Sequence, residues 1–180
     1  MSIDPHSQAK RQSNPAGFVQ KHSTLIPKSG RVLDLACGNG RHTRYLLQQG
    51  FSVLALDKDV SGLADLAGEP NLEIIEADLE GGGDIPLKGR KFSGIVVVNY
   101  LYRPLFSDLV AALAEGGVLI YQTFMTGNEE FGRPHNPDFL LQENELLDVF
   151  GGELNVLDFE QGFVERPSPA VVQKICVVNN

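Results

Sequence analysis

Hydrophobic residues along this chain gather into short runs separated by polar, glycine-rich breaks. Val32, Leu33, Leu35 and Ala36 form the first run, and residues 51–56 form the second. Residues 72–77, 92–100 and 118–124 form the next three, and the fourth run is centred on Ile95-Val96-Val97-Val98. Runs of this length with little polar alternation are the pattern of strands buried on both faces. Between them apolar residues recur at helical spacing. Tyr45, Leu46 and Leu47 give a helix over 41–49 that stops at Gly50. A short helix is expected over 60–67. Leu105, Leu109, Val110 and Leu113 give another over 105–114, stopped by Glu115-Gly116-Gly117, and Leu146, Leu147 and Phe150 one that begins near Glu143. Residues 153–163 and 170–178, linked through Arg166-Pro167-Ser168-Pro169, read as an antiparallel hairpin at a sheet edge.

Ahead of the first strand, residues 15–26 read as a short helix with Phe18, Val19 and Leu25 inward. Residues 1–14 are polar and without period, so they read as a flexible segment, leaving 15–180 as one domain. Residues 80–90 hold Gly81-Gly82-Gly83 and read as a loop. Residues 125–137 form the longest loop, of a length uncommon in compact domains unless it has a function. Strands alternating with helices predict an α/β fold: a doubly wound, mainly parallel sheet with helices on both faces and right-handed crossovers.

Composition narrows the function classes. A chain of 180 residues is enough for one substantial core. A net charge of −8 argues against broad contact with nucleic acid, which needs a Lys/Arg surface, and points to a small-molecule partner. No apolar run is long enough to span a bilayer, and no signal peptide is expected. Cys37 and Cys176 do not make a disulfide framework and read as reduced thiols of a cytoplasmic protein. No Cys/His cluster has metal-ligand spacing, so no metal is expected. A monomer or a homodimer fits equally.

The chemistry gathers around the first run. Asp34 lies inside it, Cys37-Gly38-Asn39-Gly40 ends it, and Asp57 closes the next strand roughly 20 residues beyond the glycines. Two glycines one residue apart permit a tight turn and close approach of backbone to ligand. An acid past the second strand is where nucleotide-binding units hold ribose hydroxyls. A dinucleotide site would carry a third glycine for helix–strand packing, but Thr43 stands there, and Asp34 would repel a pyrophosphate. S-adenosylmethionine (SAM) has an ammonium, a sulfonium and no phosphate, so the loop favours SAM over NAD.

Residues Val32-Leu33-Asp34-Leu35-Ala36-Cys37-Gly38-Asn39-Gly40 resemble the first motif of the class I SAM-dependent methyltransferases. Arg41-His42-Thr43 is similar to the tellurite-resistance-type, small-molecule branch. The resemblance implies a seven-stranded Rossmann-like sheet of order 3-2-1-4-5-7-6 with the last strand antiparallel, and methyl transfer from SAM to a small acceptor with S-adenosylhomocysteine (SAH) as product. It also implies a helix before the first strand that roofs the cofactor. Departing from the amino-methylating nucleic-acid enzymes, the fourth strand ends in Asn99-Tyr100-Leu101-Tyr102 in place of Asn-Pro-Pro-Tyr.

On this reading Asp34 meets the methionine ammonium directly or through water, or else caps the helix that follows. Ala36, Cys37, Gly38, Asn39 and Gly40 lay the loop backbone against the ligand, with His42 at the helix start. Asp57 and Lys58 take the ribose side, and Asp78 with Leu79 the adenine. Asn99 and Tyr100 line the methionine and methyl region as catalytic-site residues, with His135 as a candidate base. Tyr102, Arg103, Phe131 and Arg133 are the acceptor-side candidates. Arg103 and Arg133 suit an anionic acceptor, or they anchor the long loop to acidic neighbours. A SAM-binding module without turnover is the alternative function.

Overall fold

The structure, a computed structural model, describes residues 14–82 and 85–180. The segment 1–14 therefore lies, except for Asn14, outside the described residues. The first elements in chain order are α1 (Gly17–His22), β1 (Arg31–Leu35), α2 (Arg41–Gln48), β2 (Ser52–Asp57) and β3 (Leu72–Glu76). Then come β4 (Phe92–Val98), α3 (Phe106–Ala112), β5 (Leu113–Phe124), α4 (Glu145–Phe150), β6 (Asn155–Val164) and β7 (Ala170–Val178). The sheet has seven strands in the order β3-β2-β1-β4-β5-β7-β6, as the resemblance implied. β1 to β5 pair in parallel, and β7 runs antiparallel to both β5 and β6.

Alternation along the central strands divides the core between the two faces. Leu33, Leu35, Ile95, Val97, Leu119 and Tyr121 face one side, where Leu109 of α3 and Leu146 of α4 pack on them. Phe106 and Phe150 meet there edge to face, with ring centres 5.4 Å apart. Val32, Val96, Val98, Val118 and Ile120 face the other side and take Phe18 and Val19 of α1 and Leu46 of α2. Burial on both sides is the reason these strands show no polar alternation.

Several expected elements shift. Leu25 is exposed, and Ile26 is the buried residue that closes the α1 segment, because the chain turns through a 3-10 stretch at Ser23–Leu25. The helix expected over 60–67 is a 3-10 helix at Ser61–Leu66. The helix expected from residue 105 begins at Phe106, after a 3-10 turn at Arg103–Leu105. β5 starts at Leu113, ahead of the glycine pair, because pairing with β4 jumps from Phe92↔Leu113 to Gly94↔Val118 and the intervening residues form an irregularity inside the strand. The last helix starts at Glu145 and β6 at Asn155, two residues later than expected in each case. The long loop is partly built, with 3-10 turns at Asn128–Glu130 and Pro137–Phe139 and a bridge between Met125 and Leu141.

α1 is tied to both halves of the molecule. The N–H of Ala16 donates to Nε2 of His42 at 3.1 Å, and Ser23 Oγ and Tyr45 Oη share a hydrogen bond of 2.9 Å. These hold α1 to α2. At the opposite edge, Lys21 donates to Asp158 at 2.7 Å and His22 lies 2.9 Å from the same carboxylate. These hold it to β6.

Candidate functional site

The C-terminal ends of β1, β2, β3 and β4 open on a crevice, the place where open α/β sheets bind ligands. β1 leaves the sheet at Ala36, whose φ is +53°, and the turn runs on through Gly38 and Gly40, also at positive φ. The N–H of Cys37 returns to Leu56 of β2 at 3.1 Å, which fastens the turn to the neighbouring strand. Gly40 is buried with φ +74°, and a Cβ there would meet Leu63. Glycine is therefore required at this point by both conformation and space.

Asp57 organises the floor. Its Oδ2 accepts the N–H of Gly38 at 2.7 Å, its Oδ1 accepts the N–H of Asp59 at 3.1 Å, and its backbone carbonyl accepts the N–H of Ala77 at 2.9 Å. A carboxylate has about four lone-pair sites, so two remain for a ligand's hydroxyls. Asp78 accepts the N–H of Glu80 at 2.9 Å and holds the following turn at the lip of the crevice. A cavity of about 300 Å³ lies between them, bounded by Ala36, Asp57, Lys58, Asp78, Leu79 and Asn99 among others. Seven residues picked from the sequence, Tyr100 included, come together there. Ala77 and Glu80 complete the lining. They were missed because Ala77 carries no chemistry of its own, and Glu80 reaches the crevice only through the turn on Asp78.

Asp34 sits beneath the loop rather than in the crevice. It is buried, accepts the Thr43 hydroxyl at 2.6 Å, and lines none of the three cavities described. Burial pushes its carboxyl up to about 7, against the opposing pull of the Thr43 bond and the Arg41 charge. Its contact is with Thr43, in the first turn of α2, and not with the crevice. His42 is also buried and is committed to Ala16; burial and the neighbouring Arg41 push its imidazole down to about 3. Its ring is a neutral acceptor for the backbone of α1, not a group facing the crevice. Cys37 is buried too, and its thiol is pushed up by burial and by Asp34 and Asp57. It contributes backbone, not sulfur chemistry. Asn39 is exposed, lies beside Gly62 and lines none of the three cavities.

Asn99 is the hinge of the whole site. It stands at φ +59° directly after β4, its N–H donates to the Gln122 carbonyl at 2.9 Å, and it borders all three cavities. Asparagine tolerates this left-handed conformation better than most residues. Tyr100 follows; burial and the acidic neighbours Glu80 and Asp78 push its phenol up, so it keeps its proton.

The acceptor-side candidates are placed differently from expectation. Arg103 uses four of its five N–H donors within the protein: it forks onto Glu145 at 2.6 and 3.0 Å and donates to the carbonyls of Asp138 and Leu140 at 2.7 and 2.9 Å. It anchors the segment that closes the long loop and lines none of the three cavities. Tyr102 packs against the core beside α3. Phe131 stacks on Phe163 of β6 with ring centres 5.1 Å apart, away from the crevice. Arg133 and His135 are exposed and line none of the three cavities, so the base role for His135 has no geometric support. The long loop reaches the site through Pro134 and Phe139, which bound a cavity of about 190 Å³ beside Asn99 and Tyr100.

A larger cavity, of about 790 Å³, opens on the far side of Asn99. α1 forms one wall, the β6–β7 turn another, and Gln122, Phe124, Val172 and Lys174 line it from β5 and β7. Sequence reading missed it because most of its residues come from the α1 region and from the β6–β7 hairpin, segments at opposite ends of the described chain. Among the described residues no His/Cys/Asp/Glu group could hold a metal, both cysteines are free, and no helix is long and apolar enough to cross a membrane.

Comparison with known proteins bears on the same region. The family described as a methyltransferase domain matches residues 32–117, which run from β1 through the start of β5. No curated protein matched the chain. Among solved structures, TehB from Haemophilus influenzae superposes with a TM-score of 0.76 at 18% identity, over 97% of this chain and 65% of that one. The chain thus spans about two thirds of the length of that protein. A TehB-like SAM-dependent methyltransferase from Corynebacterium glutamicum gives 0.66 at 20% identity, over 97% and 94% of the two chains. The glycopeptide N-methyltransferase MtfA, crystallised with SAM, gives 0.62 at 18% identity, over 91% and 92%. The fold is that of these methyltransferases, and the family match is to a methyltransferase domain; the likeness to TehB and the TehB-like protein is one of fold.

Proposed function

We propose that this protein, with a methyltransferase domain match from β1 to the start of β5, transfers a methyl group from SAM to a small-molecule acceptor. One observation carries the reading. The cavity at the end of the parallel strands is lined by three carboxylates, Asp57, Asp78 and Glu80, against a single cation, Lys58. That set repels a pyrophosphate and suits an adenosine joined to a positively charged sulfonium. MtfA, of the same fold, was crystallised with both SAM and SAH.

The residues fit the donor as follows. Asp57 has two lone-pair sites to spare for the ribose hydroxyls. Leu79 offers an apolar surface to the adenine and Asp78 an acceptor for its amino group. Ala36 and Gly38 present backbone without bulk where the loop passes the ligand. Arg41, which opens α2 and borders the larger cavity, supplies a cation for the methionine carboxylate. Asp34 acts from below: its bond to Thr43 keeps α2 aligned with β1 and so holds the loop in place.

SAM supplies an electrophilic methyl carbon. In the transfer the acceptor's nucleophilic atom forms a bond to that carbon as the carbon–sulfur bond breaks, and sulfur keeps the electron pair. A proton on the acceptor atom is released to solvent. The protein therefore has to hold two molecules in line and exclude water, not to provide a nucleophile. Asn99 stands where the donor and acceptor cavities meet, and Tyr100 beside it, with its proton held, is a donor and not a base.

Calorimetric titration with SAH tests the cofactor, and a radiolabelled-methyl screen over thiols, amines, carboxylates and metalloid oxyanions tests turnover. Binding of SAH with label transferred to an acceptor supports the proposal. Binding with no transfer to any acceptor would make the chain a cofactor-binding module. Tighter binding of NADH than of SAH would overturn both.

A further inference from the structure

The two cavities that meet at Asn99 carry opposite charge. The donor cavity has three carboxylates and one cation; the larger one is lined by Lys21, Arg41, Arg166 and Lys174 against Glu160 alone. In a chain of net charge −8 this is a local reversal of sign. Lys21 and Lys174 both reach Glu160, at 3.5 and 2.8 Å, and Lys21 also pairs with Asp158, whereas Arg166 forms no ion pair among the described residues. With Arg41 beside the glycine loop, Arg166 on the β6–β7 turn is the cation left facing an acceptor.

The floor has a second property. Gln122, Lys174 and Glu160 lie in one row across β5, β7 and β6, in direct register. Two residues further along the strands the row is Phe124 and Val172, then Ala170 opposite Val164. One face of the sheet therefore offers a polar row followed by apolar ones, and Phe18 of α1 adds an aromatic wall. From β4 to β6 the floor crosses three strand spacings, about 14 Å. An inorganic oxyanion would satisfy the cations and leave the apolar rows and most of the 790 Å³ unfilled.

We infer that the methyl acceptor is an organic anion with an apolar body, lying along this floor with its charge met by Arg166. The inference rests on the donor's adenosine occupying the smaller cavity, with its methionine carboxylate on Arg41 at the near edge of the larger one. The positive field of Lys21 and Lys174 supports the anion at longer range, and Phe124, Val172 and Val164 exclude water from its body. The anion is thereby recruited by one cavity while the cationic donor is recruited by the other, and the two charges attract across Asn99.

The test uses the full chain saturated with SAH. Dissociation constants are measured for indole-3-acetate and octanoate, for their neutral amides, and for selenite, on the wild type and on Arg166→Gln. The expected result is that at least one carboxylate binds roughly tenfold or more tightly than its amide, as expected of a charged hydrogen bond. That preference falls at least fivefold in Arg166→Gln and weakens as salt is raised, while the SAH affinity of the variant is unchanged. Amides binding as well as carboxylates, selenite binding when neither carboxylate does, no binding of either carboxylate, or an unchanged preference in Arg166→Gln would each overturn it. If SAH itself fails to bind, the failure belongs to the donor assignment, and the acceptor inference falls with it.

Discussion

The carboxylate of Asp57 accepts the backbone N–H of Gly38 at 2.7 Å, across 19 residues of sequence. The acid at the end of β2 thus does two things at once: it fixes the turn that follows β1, and it keeps acceptor capacity for a ligand. Replacing Asp57 with Ala should weaken SAH binding by about 1–3 kcal/mol, the loss of hydrogen bonds to a charged group. Asp57→Asn, which keeps one acceptor oxygen, should fall between. Calorimetry reads both. An unchanged dissociation constant in Asp57→Ala would remove the residue from the site.

Gly40 and Gly38 separate conformation from space. Both have positive φ, but a Cβ at Gly38 meets nothing within 4 Å, whereas one at Gly40 meets the Leu63 side chain and lies 2.9 Å from Arg44. Gly38→Ala should cost about 1–2 kcal/mol of stability from the left-handed backbone alone. Gly40→Ala should cost more, with the 3-10 helix at Ser61–Leu66 displaced. Denaturant melts of the two variants give the order; equal stability would contradict it.

Asp34 and His42 should respond to pH with opposite sign. Asp34 is held up to about 7 in the folded chain against 3.8 unfolded, so folding favours its protonated form. Its contribution is present below about pH 4 and is lost as pH rises through 7. His42 is held down to about 3 against 6.5 unfolded, so its contribution is present above 6.5 and is lost as pH falls towards 3. Each amounts to about 1.4 kcal/mol per pH unit at most within its window. Relative to wild type, Asp34→Asn should therefore gain stability as pH rises from 4 to 7, and His42→Gln should gain it as pH falls from 6.5 towards 4. Denaturant melts across that range give both difference profiles, and slopes of the same sign would refute the assignment.

Arg103 should act on stability and not on catalysis. Its guanidinium forks onto Glu145 and caps the carbonyls of Asp138 and Leu140, just past the long loop. Arg103→Gln should lower stability by about 1–3 kcal/mol, with part of that cost shared by Glu145→Gln in a double-mutant cycle. The SAH dissociation constant should stay within about twofold, under roughly half a kcal/mol. A raised acceptor KM with unchanged stability would restore Arg103 to the acceptor site.

The central strands and the residues that line the smaller cavity were legible because they depend on local pattern. Continuous apolar runs such as Ile95-Val96-Val97-Val98 can be buried only between two layers, and acids that close such runs, Asp57 and Asp78, must emerge where the sheet ends. The larger cavity and the anchoring of the long loop depend on meetings between distant segments. Nothing near Arg103 announces Glu145, 42 residues away, and nothing in residues 166–174 announces Phe18 or Asn99. Arg133 and His135 looked equally eligible as polar residues on the long loop, but the loop turns Pro134 and Phe139 to the crevice instead. The irregularity in β5 was hidden for a related reason: Gly116-Gly117 reads as a stop unless the partner strand is known to resume at Gly94.

The central claim, that a cationic methyl donor lies in the acidic crevice between Asp57 and Asn99, is tested most directly by a crystal structure of the protein grown with SAH. The account predicts ribose hydroxyls on the Asp57 carboxylate, adenine against Leu79, and the sulfur facing Asn99 with the larger cavity open beyond it. SAH bound elsewhere on the molecule, or no SAH density at saturating concentration, would contradict it.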